Sequence, residues 1–157
     1  MARRRKAQKR EVLPDPKFHN KLVTKFVNNI MLDGKKSLAQ SIFYNALEQA
    51  AKMVNSSDQM AVFNKVMENV KPLLEVRSRR VGGATYQVPV EIPSYRQEAL
   101  AMRWLINFAR TKKGVPMGKA LAQEFVDAYN DQGNAIKKRD DVHRMAEANR
   151  AFAHFRW

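Results

Sequence analysis

Apolar residues recur at helical spacing along most of this 157-residue chain, and two extended runs around Gly82-Gly83 interrupt the pattern once. That single change of period restricts the fold to a helical body with one ribbon inserted. Phe18, Leu22, Phe26, Val27, Ile30 and Met31 predict a first helix over about 18–32, ended by Asp33-Gly34. Leu38, Ile42, Phe43, Ala46, Leu47, Ala50 and Val54 form the stripe of a second. After a turn with a capping residue at 55–58, a third carries Val62, Phe63, Val66, Met67 and Val70 until Pro72 stops it.

Residues 73–81 and 84–92 are rich in Val, Ile and Leu, and a Gly-Gly pair between them suits the positive φ of a tight hairpin turn. Pro89 is compatible with a two-stranded ribbon, where each strand keeps a free edge. Ser94 with Gln97 three residues later predicts a capping box opening a fourth helix, which carries Leu100, Trp104, Leu105 and Phe108 to about Arg110. Pro116 starts a fifth helix burying Leu121, Phe125, Val126 and Tyr129, and Gly133 breaks it. Asp140 or Asp141 is expected to cap a last helix carrying Val142, Met145, Phe152 and Phe155. The expected class is all-α: six helices and one protruding hairpin. The length suits a single domain over 13–157, behind a basic tail over 1–12.

Charge is the second constraint. Against 29 Lys and Arg stand 15 Asp and Glu, a net charge of +14. The excess is clustered: +6 in residues 1–10, −1 across 37–70, +3 in 71–80 and +3 at 137–139. A merely solubilising surface would intersperse the two signs, so separate cationic clusters point to a polyanionic partner. On the hairpin, a two-residue turn places Arg79 opposite Tyr86 and Arg77 opposite Val88. There the guanidinium heads can reach phosphates while the ring offers a stacking surface to an unpaired base. The bland alternative is a surface hairpin whose arginines block edge pairing. Replacing Arg77, Arg79 and Arg80 by Ala is expected to reduce the salt slope of nucleic-acid binding and leave thermal stability nearly unchanged.

Other classes fare worse. With no cysteine there is neither a disulfide framework nor a thiolate metal site. Unbroken apolar runs do not exceed four residues, as at Ala99–Met102, which is too short to span a bilayer, and the basic start lacks the apolar stretch of a secretory signal. His143 and His154, placed on one helix eleven residues apart, would lie ~16 Å from each other and could not share a metal. Nucleophile-elbow, paired-histidine and phosphate-loop motifs are lacking. The expectation is no catalysis, no metal, no cofactor, no small-molecule substrate and no membrane partner.

Several stretches resemble one family, protein seven of the small ribosomal subunit, bacterial type. They are Met31-Leu-Asp-Gly34-Lys35-Lys36, the hairpin from Arg79 through Tyr86 to Glu91, Leu100-Ala-Met-Arg103-Trp104, and the C-terminal run from Lys137 through His143 to Trp157. The order and intervals match over essentially the whole chain.

The resemblance implies a six-helix domain with a β-ribbon, binding the 3′ major domain of small-subunit rRNA and nucleating assembly of the head. It implies a cytoplasmic location in the ribosome, near the decoding region. The exit-site tRNA and messenger RNA would lie nearby, with small-subunit proteins nine and eleven as neighbours. Matching RNA-contact positions are Arg3, Arg4, Arg5, Lys6, Lys9 and Arg10 in the tail, then Lys35 and Lys36. Arg77, Ser78, Arg79, Arg80 and Tyr86 follow on the hairpin, then Lys112, Lys113, Met117 and Lys119, and finally Lys137, Lys138 and Arg139 ahead of the last helix. Separate clusters on a rigid body would hold several RNA helices in one orientation, and the tail would become ordered on RNA. From a different class, the rival is an architectural DNA-binding protein with a basic β-arm.

Overall fold

The structure, a computed structural model, describes residues 10–155. In chain order it contains α1 (Lys21–Ile30), α2 (Lys36–Met53), α3 (Gln59–Val70), β1 (Leu74–Val81), β2 (Ala84–Glu91), α4 (Ser94–Thr111), α5 (Met117–Tyr129) and α6 (Gly133–Ala148). A 3-10 segment, Arg150–Phe155, closes the described chain. The fold is therefore mainly helical, with one antiparallel hairpin.

Four helices each contribute one phenylalanine to the centre: Phe26 from α1, Phe43 from α2, Phe63 from α3 and Phe125 from α5. All four are fully buried, and their ring centroids lie 5.3–6.2 Å apart in tilted and edge-on pairs. Such geometry sets the positive edge of one ring against the negative face of another. Leu47, Met67, Met102, Leu105 and Leu121 fill the space around them.

Local signals account for most boundaries, and some differ from the sequence expectation. The first helix begins at 21 rather than 18. Asp15 accepts the Lys17 and Phe18 amides and the Tyr44 hydroxyl, fixing a turn ahead of it, and Asn20 then caps α1 through the Leu22 amide at 2.7 Å. Asp58 caps α3 through the Met60 and Ala61 amides. The capping box at Ser94 does not form: Pro93 holds the N-cap position, and the Gln97 side chain donates to the Ile92 carbonyl instead.

The last helix is the largest correction. It opens at Gly133, whose φ of +89° turns the chain, so Asp140 and Asp141 lie inside it and pair with Arg139 and Arg144. Gly133 thus starts α6 instead of breaking α5, which already ends at Tyr129. Lys137, Lys138 and Arg139 are helical residues, not a run ahead of the helix. Phe152 and Phe155 leave the helix altogether and sit in the 3-10 segment. His143 and His154 consequently do not share one helix.

Candidate nucleic-acid interface

The hairpin turn has the expected form. Val81 pairs with Ala84, and Gly82 and Gly83 take φ of +57° and +90°, which a two-residue turn matched to strand twist requires. Arg79 faces Tyr86 and Arg77 faces Val88, so Glu75, Arg77, Arg79, Tyr86, Val88 and Val90 share one face. Ser78, Arg80, Thr85 and Gln87 share the other, where Ser78 bonds across to Gln87 at 3.2 Å.

These two faces do different work. On the first, Val88 is fully buried, and the Tyr86 ring lies 5.3 Å from that of Phe152 and 4.9 Å from that of Phe155. Tyr86 is thus packed by the terminal segment rather than held open for a base. Glu75, a lone acid in a basic strand, is buried and accepts from both Arg77 and Arg96 at 2.7–3.0 Å. Burial alone would raise the Glu75 carboxyl, but the hydrogen bonds from Arg96 and Arg77 outweigh it and hold the group below the usual carboxylate range. Sequence reasoning missed this anchor, although an acid alternating with arginines was a visible signal. On the second face, Arg80 is exposed and forms no ion pair among the described residues.

A second group of cationic positions converges between helices. The α1–α2 and α4–α5 loops bring Lys35 and Lys112 to one cleft of about 440 Å³, where Met117 at the start of α5 joins them. Lys35, Lys36, Lys113 and Lys119 are exposed and form no ion pair among the described residues. Lys112 behaves differently: its Nζ lies 2.8 Å from Oε1 of Glu124, which is buried on α5. Its charge therefore serves the fold.

Along α6, Lys137 and Lys138 face solvent, whereas the Arg139 side chain turns inward. It donates to the Asn69 carbonyl and pairs with Asp131 and Asp140, tying α6 to the end of α3. Asn69 in turn donates to the Ala128 and Tyr129 carbonyls at the end of α5. Arg10 is exposed; Arg3, Arg4, Arg5, Lys6 and Lys9 lie outside the described residues.

Three separated cationic groups on a helical body are the charge pattern of a basic, mainly helical protein suited to an extended polyanion. The family model for ribosomal protein S7p/S5e matches residues 2–150. Over 157 residues, the full length of both chains, the sequence is 55% identical to small ribosomal subunit protein uS7 of Bdellovibrio bacteriovorus. It is also 55% identical, over the same complete length, to that of Borrelia hermsii. With uS7 of Fervidobacterium nodosum it shares 57% identity over 155 residues, 99% of each chain. The chain belongs to the ribosomal protein S7p/S5e family. It is a structural protein of the small ribosomal subunit, not an enzyme.

Proposed function

We propose that this protein binds the 3′ major domain of small-subunit rRNA and nucleates assembly of the subunit head. The observation that carries the reading is the separation of unpaired cations into distinct groups: Arg80 on the hairpin, Lys35, Lys36, Lys113 and Lys119 around the interhelical cleft, and Lys137 and Lys138 on α6. A body held rigid by the phenylalanine quartet keeps these groups at fixed spacing, so RNA helices bound to each are fixed relative to one another. Phosphate contacts supply affinity and position, and unpaired bases and groove shape supply selectivity. The basic tail over 1–12 adds further cationic contacts ahead of the single domain over 13–157. Such a protein sits close to the decoding region, with the hairpin near exit-site tRNA and the messenger path and with proteins nine and eleven as neighbours.

The test is competition between a 3′ major-domain rRNA fragment and duplex DNA of equal length at matched physiological salt. Preference for the rRNA by at least tenfold is expected. Equal affinity would favour the architectural DNA-binding reading and overturn this one.

A further inference from the structure

We propose that the cleft between the α1–α2 and α4–α5 loops is a receptor for one unstacked nucleobase of bound RNA, with the adjoining phosphate held at its rim. The inference rests on the RNA-binding reading above and assigns a ligand class to one part of that surface. Helical spacing places Leu38 in the core stripe of α2, yet it is 56% exposed, and Leu32 and Val115 at the same cleft are 63% and 45% exposed. Three large aliphatic side chains are therefore exposed in one concavity, where burial by a flat apolar ring is favourable.

The rim selects the occupant. Lys35, Arg110 and Lys112 line the cleft against a single acid, Asp33, and Lys36 at the start of α2 and Lys113 on the α4–α5 loop follow them in sequence. Arg110 is turned to the Ile30 carbonyl and Lys112 to Glu124, which leaves Lys35, Lys36 and Lys113 as the available cations. In addition, α2 begins here without a side-chain cap or an acid in its first turn, so its amide end adds partial positive charge. An apolar protein segment would satisfy the walls but not this field. A nucleotide satisfies both: its ring takes the Leu38–Val115 walls and its phosphate takes the lysines.

Two probes test the proposal. In methyl-resolved NMR of the full chain, millimolar adenosine monophosphate should shift the Leu38 and Val115 methyls upfield, whereas ribose 5-phosphate should leave them in place. In rRNA binding, Val115→Trp fills the mouth and Leu38→Gln makes a wall polar, both at exposed positions that do not support the core. Each should weaken rRNA binding about tenfold or more, the loss of one stacked base, with an unchanged salt slope. Lys35→Gln with Lys36→Gln should instead flatten the slope by about two. Silent methyls, or wild-type rRNA affinity in both cleft variants, would overturn the proposal. So would variants that keep rRNA affinity but lose a neighbouring protein from reconstituted subunits, because the cleft would then seat protein. If the wild type fails to prefer rRNA over DNA, the broader reading falls, and the nucleotide titration still decides the cleft.

Discussion

His143 Nε2 accepts a hydrogen bond from the Leu73 backbone N–H at 2.9 Å, joining the middle of α6 to the root of the hairpin. Only a neutral imidazole can accept there, since the protonated ring has two donors and no acceptor. Burial holds His143 below its ordinary value, the Arg139 guanidinium pushes it the same way, and Asp140 opposes them. The unfolded chain therefore takes up this proton more readily than the folded one. The contribution is complete above the unfolded pKa of about 6.5 and is lost as pH falls through the lower folded value. Acidification from about pH 7.5 to about pH 5.5 should lower Tm and lower the protection factor of the Leu73 amide, its exchange rate relative to the intrinsic rate at each pH. In His143→Ala both responses should be smaller, which melts at paired pH values would check.

Glu75 is the other fastening at the hairpin root. Its 11% exposed side chain faces two arginines whose side chains are each nearly half exposed. Glu75→Gln should cost about 1–2 kcal/mol, below the cost of breaking a fully buried pair because water reaches both partners. Urea unfolding with an unchanged m-value is the measurement.

The hairpin arginines are not equivalent. Arg80→Ala should reduce the salt slope of rRNA binding by about one while leaving stability within about 0.5 kcal/mol. Arg77→Ala removes a bond to Glu75, so it should lower Tm as well as affinity. The sequence expectation that all three arginines can be replaced without loss of stability is thus narrowed to Arg80. Salt titrations and melts of the two single variants separate the cases.

Phe152→Ala should release the Tyr86 ring from one of its two aromatic neighbours, at a cost of about 1 kcal/mol. The loss should be local. Faster amide exchange in β2 with unchanged protection in α2 and α3 is the expected pattern.

Gly133→Ala should destabilise the chain by about 1–3 kcal/mol. Gly133 has a φ of +89°, and an added Cβ would meet the Asp127 Cβ at 2.8 Å. A calorimetric melt gives the loss directly.

Helices with a wide apolar stripe were legible in the sequence: Phe26, Phe43, Phe63 and Phe125 were all assigned to buried faces, and all four meet in the core. The hairpin register was legible too, because two adjacent glycines allow little choice of turn. Failures came where a long-range partner outweighed a local signal. Gln97 reaches Ile92 instead of completing a capping box, and Asp140 binds Arg139 instead of capping a helix. On α6 the buried residues are Ala135, Ile136 and Ala146, and small side chains give weak periodicity. At the candidate site, charge clusters showed where cations lie along the chain. They could not show that Lys112 and Arg139 turn inward, because Glu124, Asn69 and Asp131 are brought to them only by folding.

The phenylalanine quartet also constrains the order of synthesis. Phe26, Phe43 and Phe63 emerge first, and the fourth ring, Phe125, follows 62 residues after Phe63. Until α5 leaves the synthesising ribosome, three aromatic rings lack the partner that closes them off from water. Cationic groups made earlier can attract RNA electrostatically, yet they acquire fixed spacing only once α5 has emerged and joined the core. Specific recognition is thereby deferred until α5 is in place, and a product truncated before it would bring charge to the RNA without the geometry to organise it.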